Sequence, residues 1–241
     1  MLEKLKNSLQ PLIKNCYRIT AQRMNFLPEL ADTSRFGGPA YSEEGSLNPV
    51  CSTCKEPLSF VFQYRADPVA NKGELIQFFY CFACSPWGGK KEEGQWLMRS
   101  FVSADKNKFC PGAGECGDLQ PCICKISKVK MLPDFETLEE MGHESVKICD
   151  KIDKDDPWDV YEETCLAMGC EIEPFSSIGG YPIWIQGHSE KICPECKKPM
   201  EFIAQIDSEA EAGIMWGDAG CVYLFRCPQH PRCTAMEMQC F

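Results

Sequence analysis

The sequence is poor in histidine, in positive charge and in long apolar runs, and each shortage excludes something. The only histidines are His143, His188 and His230. His143 reads as a solvated residue of a polar helix and His188 as a loop residue, which leaves His230 for chemistry. No G-x-S-x-G elbow, P-loop or G-x-G-x-x-G turn occurs, so the short motifs of acyl transfer, phosphoryl transfer and dinucleotide binding are missing. Carboxylates are plentiful, but abundance is not a catalytic constellation. Lys and Arg number 25 against 35 Asp and Glu, a net charge of −10. Neutralising phosphates takes clustered cations, so nucleic acids and anionic membrane surfaces are not the expected partners. The small clusters "KKPM" and "GGKKEEG" read as solvated turns. No apolar run approaches the ~20 residues of a membrane span. The opening "MLEKLKNSLQPLIKN" places Leu2, Leu5, Leu9 and Leu12 at helical spacing, without the unbroken apolar core of a signal peptide. It predicts an amphipathic helix packed on the body, in a cytoplasmic protein.

Cysteine, by contrast, is abundant, with 18 in the chain. In a reducing compartment thiols hold metal or stay free more often than they pair. Their arrangement carries an internal repeat. "CSTCKEPLSF" (Cys51 to Phe60) returns as "CPECKKPMEF" (Cys193 to Phe202), an offset of 142 residues. The same offset takes Gly37 and Gly38 to Gly179 and Gly180, and Gln63 to Gln205. After a loop of different length, an offset of 146 takes Phe79 to Phe225, Cys81 to Cys227 and Cys84 to His230. Each copy reads as a Gly-Gly turn, a short strand, the knuckle, a strand, a loop and an apolar strand. That last strand ("LIQFFYC", "CVYLFRC") is apolar on both faces and is expected at the centre of a sheet. "GQWLMRSFV" and "TAMEMQCF" are expected to close the two units.

The connecting segments "DFETLEEMGHESVKICDKI" and "DPWDVYEETCLAMGC" read as helices, with Asp134 and Asp156 as N-caps and Pro157 at the first helical position. The predicted fold class is α+β: a duplicated β-rich unit with pseudo-twofold symmetry around one shared core. Residues 1–33 form an N-terminal helix and strand, 34–130 the first repeat, 131–175 a helical linker and 176–241 the second repeat.

Cys51, Cys54, Cys81 and Cys84 supply one C-x2-C … C-x2-C set, and Cys193, Cys196, Cys227 and His230 a C-x2-C … C-x2-H set. Two short-spaced pairs of soft ligands are the usual way to build a tetrahedral zinc site, so two zinc ions are expected in zinc-ribbon-like knuckle pairs. Cys233 is the fallback to His230. Four protein ligands leave no open position for substrate, which marks both sites as structural. Cys110, Cys116, Cys122 and Cys124 offer thiols for a third site; the alternative is a loop-borne set of reduced thiols. Cys16, Cys149, Cys165, Cys170, Cys221 and Cys240 are scattered and read as small buried hydrophobes.

"SRFGGPAY", "CSTCKEPLSFVFQYRAD", "LIQFFYC", "LPDFETLEE" and "SSIGGYPIWIQ" followed by "KPMEFIAQID" resemble the bacterial YwqG family of unknown function, from about residue 18 onward. The resemblance implies a duplicated α+β fold and no catalytic residues. "IGGYPIWI" with a knuckle and "FIAQI" is also similar, more distantly, to programmed-cell-death-2 type proteins, which implies a chaperone-like role. The expectation is therefore a zinc-stabilised protein-binding module: an adaptor, chaperone or immunity-type protein whose acidity suits a basic partner. The alternatives are an enzyme using the cleft between the repeats or the Cys110–Cys124 thiols, and a zinc-ribbon nucleic-acid binder. The loop "SEAEAGIMWGDAG" has no counterpart in the first copy. Its Trp216 either anchors a partner or folds onto the core.

Overall fold

The computed structural model describes residues 1–87, 94–110 and 119–241. Among them are four α-helices and one sheet of 11 strands. The centre of the sheet is a long antiparallel pair, β1 (Lys14–Arg23) and β6 (Cys122–Met131), in register from Lys14↔Met131 to Arg23↔Cys122. Beside β6 stand β2 (Arg35–Phe36), β3 (Ser59–Asp67), β4 (Lys72–Tyr80) and β5 (Trp96–Phe101), in that order. Beside β1 stand β8 (Ser177–Ile178), β9 (Glu201–Asp207), β10 (Cys221–Arg226) and β11 (Thr234–Gln239). A short β7 (Cys170–Glu171) pairs parallel with β6.

β4 and β10 are buried on both faces, as their unbroken apolar runs predict. Their even-numbered residues Phe78, Tyr80, Val222 and Leu224 enter one core with Ile19, Phe62, Met98, Met236 and Met238. Both wings share that core. The end strands β5 and β11 do not pair with each other. The two wings nevertheless touch: Arg226 Nη1 at the end of β10 meets Glu74 Oε2 of β4 at 2.8 Å, and the Met238 amide of β11 donates to the Trp87 carbonyl at 3.0 Å.

The expected short strand between each Gly-Gly turn and its knuckle is not formed. β2 and β8 precede the turns instead, because Pro39 and Pro182 follow the glycines almost at once and bring no amide to a ladder.

α1 (Leu2–Leu9) buries Leu5 and Leu9, with Leu12 partly covered and Leu2 exposed. It packs on α2 (Phe135–Glu140), α3 (Glu144–Ile152) and α4 (Pro157–Ala167), around Leu138, Ile148, Tyr161 and Cys165. Asp134 caps α2, its Oδ1 accepting from the Thr137 amide at 2.7 Å. Asp156 occupies the N-cap of α4 without a side-chain bond, and Pro157 opens that helix. The stretch from Asp134 to Ile152 is two helices, not one. Gly142 takes φ +63° and ends α2. His143 then caps α3, its Nδ1 accepting from the Ser145 amide at 3.3 Å, so it is a capping residue rather than a solvated mid-helix one.

Candidate metal centres

Each knuckle is a tight reversal. The Cys51 amide donates to the Glu56 carbonyl at 2.8 Å and the Lys55 amide to the Cys51 carbonyl at 3.1 Å. The Cys193 amide donates to the Lys198 carbonyl at 2.9 Å and the Lys197 amide to the Cys193 carbonyl at 3.0 Å. Lys55 and Lys197 hold φ of +67° and +60°, a left-handed turn that brings the second thiol back beside the first. The remaining pair of each set follows a buried strand, Cys81 after β4 and Cys227 after β10. Antiparallel pairing of Phe60 with Phe79, and of Phe202 with Phe225, returns those strand ends to the knuckles. The long sequence gaps between cysteine pairs are the β3–β4 and β9–β10 excursions.

The structure brings all eight predicted ligands together in two groups, with the ligand atoms of each group within 4.8 Å of one another. Cys51 and Cys84 sulfurs are 3.7 Å apart and Cys54 and Cys81 sulfurs 3.6 Å. In the second group Cys196 and Cys227 sulfurs are 3.6 Å apart, and His230 Nδ1 lies 3.7 Å from both Cys193 and Cys227 sulfurs. Disulfide sulfurs would be ~2.05 Å apart. A tetrahedron with metal–sulfur bonds of ~2.3 Å has sulfur–sulfur edges of ~3.8 Å. Both groups can therefore hold a tetrahedral metal ion, and zinc fits their soft donor sets.

Backbone amides already favour negative charge at each centre. Burial works against ionisation of Cys51, but amide donors from Cys54 and Thr53 outweigh it and bring the thiol down to about 6. Cys193 also comes down to about 6, with Cys196 and Glu195 amides overcoming burial. Cys81 moves the other way, to about 12, through burial and the crowding thiols. Thiolates this close repel one another, and a divalent cation supplies the charge that lets them ionise together. The Cys84 and His230 amides donate to the Cys81 and Cys227 sulfurs, both at 3.4 Å.

At the second centre the outer ring nitrogen of His230, Nε2, lies 3.5 Å from Glu195 Oε2. A carboxylate behind the ring is the usual way to orient a metal-binding imidazole. Cys233 is not one of the four gathered residues; its thiol sits beside Cys193 and donates to Glu195 Oε1 at 3.1 Å. Glu195 lies inside the second knuckle. Sequence reading passes over it because its role depends on where His230 comes to rest.

Of the four thiols considered for a third site, Cys116 lies outside the described residues. Cys122 and Cys124 are not on a loop. They alternate on β6, both face the main core, and burial pushes both thiols up. The backbone of Cys110 bonds Ser42. Cys16, Cys149, Cys165, Cys170, Cys221 and Cys240 are buried, as expected of small hydrophobes. Burial raises Cys16 and Cys165 to about 12, so these are inert thiols.

Trp216 folds onto the core, at 1 % exposure, while its neighbour Met215 stays exposed. Its ring lies 5.0 Å from Tyr80 and stacks at 5.5 Å on Phe82, which sits between the ligands Cys81 and Cys84. The loop between β9 and β10 thus covers aromatic side chains beside the Cys81–Cys84 pair. His188 bonds Glu140 at 2.5 Å and joins a loop to α2. Among the described residues, no helix is long and apolar enough to cross a membrane.

Comparison with the curated proteins finds no match. A family model described as a domain of unknown function, DUF1963, matches residues 34–229, and the chain belongs to that family.

Proposed function

We propose that the chain is an internally duplicated, zinc-stapled binding module for a basic protein partner, an adaptor, chaperone or immunity-type protein of the cytoplasm rather than an enzyme. The observation that carries this reading is the closure of both clusters. Each gathers four protein ligand atoms within 4.8 Å, which fills a tetrahedral zinc and leaves no position for a reacting group. Such zinc holds structure. The thiol-enzyme alternative loses support from the burial of Cys122 and Cys124.

Duplication is supported by hydrogen bonds that recur with the sequence offset. Gln63 Nε2 donates to the Thr33 carbonyl at 2.8 Å, and Gln205 Nε2 to the Phe175 carbonyl at 2.7 Å. Gln63 Oε1 accepts from the Tyr41 amide at 3.2 Å, and Gln205 Oε1 from the Ile183 amide at 2.9 Å. The Gly37 amide reaches the bulged Val61 carbonyl at 3.1 Å, and the Gly179 amide the bulged Ile203 carbonyl at 2.9 Å. Strand pairing follows the same relation. Arg35 faces Ile123 of β6, and Ser177 faces Arg18 of β1. A twofold axis passing through the Thr20↔Lys125 pair would exchange β1 with β6 and one wing with the other. On this reading each half lends its leading strand to its twin's wing.

A basic partner is supported by the net charge of −10 and by the exposed acidic residues of α2 to α4, among them Glu139, Glu144, Asp159 and Glu163. The test has two arms. Elemental analysis is expected to find two zinc ions per chain, with the other cysteines free in a thiol count. An arginine-rich peptide should bind at low salt and weaken steeply as salt rises. Metal-free protein with paired cysteines would overturn the zinc reading. Absence of peptide binding at low salt, or binding indifferent to salt, would overturn the basic-partner reading.

A further inference from the structure

A cleft of about 250 Å³ opens between the linker helices and the segment that follows the second Gly-Gly turn. Its walls are aromatic: Phe135 of α2, Trp158 and Tyr161 of α4, and Trp184. Phe135 lies 5.2 Å from Trp158 and 5.6 Å from Tyr161, and Trp184 packs at 4.5 Å on Tyr223 of β10. Each of these rings therefore packs on at least one other aromatic ring. Trp158 is nonetheless exposed, at 48 %.

Four carboxylates line the same cleft, Asp134, Glu136, Glu162 and Glu171, and among the described residues no lysine, arginine or histidine does. Two of them have partners: Asp134 caps α2, and Glu171 pairs with Arg18 at 3.1 Å. Glu136 and Glu162, on neighbouring helices, are exposed and have no hydrogen-bond or ion-pair partner among the described residues. The Trp184 indole Nε1 is buried without an acceptor among the described residues.

Two magnitudes narrow the occupant. Small-molecule and cofactor sites run from ~300 to 1,000 Å³, so this cleft suits a single side chain better than a whole ligand. Aromatic walls under a carboxylate rim select a cation on an apolar stem, since ring faces attract cations by ~0.5–2 kcal/mol as water is excluded. Arginine meets both demands better than lysine. Its planar guanidinium stacks on a ring and presents paired donors to carboxylates. A peptide also brings carbonyls, which are acceptors for an indole N–H.

We infer that this cleft receives an arginine side chain of the partner, with the guanidinium against Trp158 and held by Glu136 and Glu162. The inference rests on the proposed reading of a basic protein partner and locates its contact point. The test is calorimetric titration of the zinc-loaded full chain, at low salt, with an acetylated and amidated Gly-Gly-Arg-Gly-Arg-Gly-Gly peptide. Its citrulline counterpart, of the same shape without charge, is titrated alongside. The arginine peptide should bind and the citrulline peptide should bind at least ~10-fold more weakly. E136Q/E162Q should weaken the arginine peptide by ~10-fold, and W158A by ~5-fold, consistent with the cation–ring range. E29Q/E44Q, which removes the same charge from exposed positions elsewhere, should stay within ~2-fold. Zinc content and thermal melting verify that each variant is folded. Should W158A fail that check, the exposed pair E136Q/E162Q carries the result. Cleft variants that bind like the parent chain would overturn the assignment while leaving the basic-partner reading standing. No binding of the arginine peptide to the parent chain would sink both.

Discussion

Replacing His230 distinguishes a metal centre from a chance gathering of thiols. The corresponding place in the first cluster is held by Cys84, whose sulfur lies 3.7 Å from that of Cys51, as His230 Nδ1 lies 3.7 Å from that of Cys193. H230C therefore restores four ligands in a geometry the chain already uses, and should keep two zinc ions. H230A leaves three ligands, but Cys233 is close by, bonded to Glu195 at 3.1 Å, and can swing in as a substitute. H230A/C233A removes both. A structural zinc contributes ~10–16 kcal/mol in finger peptides, or roughly 3 kcal/mol per ligand on an even division. A domain is stable by only ~5–15 kcal/mol. The double variant should thus bind about one zinc per chain and lose at least ~3 kcal/mol in urea unfolding. Elemental analysis and circular dichroism across a urea series read both quantities. Two zinc ions retained by H230A/C233A, or one lost by H230C, would refute the assignment of His230.

Gly37 and Gly179 occupy matching turns but differ in their surroundings. A methyl at Gly37 (φ +53°) would lie 2.4 Å from the Gln120 carbonyl oxygen, whereas at Gly179 (φ +72°) it would meet nothing within 4 Å. G179A should cost only the left-handed backbone term of ~1–2 kcal/mol, and G37A a further ~1–3 kcal/mol of overpacking; equal costs in urea unfolding would contradict this. Gln63 is buried, accepting from Tyr41 and Gln77 and donating to the Ala31 and Thr33 carbonyls. Q63L orphans those groups and should cost ~3–5 kcal/mol at ~1–3 kcal/mol each, partly relieved by water; a loss under ~1 kcal/mol would show the network to be dispensable. Burial would push the Glu74 carboxyl up, but hydrogen bonds from Ser100 and Arg226, with the Arg226 charge, outweigh it and hold the group below its ordinary 4.5. A depressed carboxylate stabilises the fold above its unfolded pKa, and that stability is lost as pH falls through the folded value. E74Q should therefore cost ~1–2 kcal/mol at pH 7, with the difference from the parent chain shrinking below a pH of about 4; a pH-independent difference would count against the ion pair.

What was legible in the sequence was local. The knuckles announce themselves by spacing, and β4 and β10 by apolar runs that only a central strand can bury. The central β1–β6 pair was not legible, because its ten-residue register joins residues from 99 to 117 positions apart. Cys122 and Cys124 show the same limit. Their alternation is a strand signal, but a neighbourhood of glycine and cysteine reads as a loop, and only the pairing of Cys122 with Arg23 and of Cys124 with Ala21 settles them on β6. Trp216 has no local signal at all, since Tyr80 and Phe82 bury it from the other half. His143 was readable in principle: a glycine, then a side chain able to accept from the next turn, is a stop and a start. Histidine is an uncommon cap, and the helical periodicity on either side masks it.

The pairing of β1 with β8 and of β6 with β2 also bears on where function resides. If each half holds the other's leading strand, neither can open without unpairing the shared centre. Shared features, the Gly-Gly turns, buried glutamines and metal centres, then serve one cooperative fold. On the proposed duplication, the halves differ most between the leading strand and the first strand of the wing. In the first half that interval spans only residues 24–34, and in the second it spans 132–176 and contains α2 to α4. The aromatic and acidic cleft is built largely from this added segment, so its twin in the first half has no material from which to form. A ligand recognised by the shared architecture would bind twice per chain. One recognised by the cleft should bind once, and the stoichiometry of the arginine peptide titration therefore separates a function inherited by both halves from one gained with the linker.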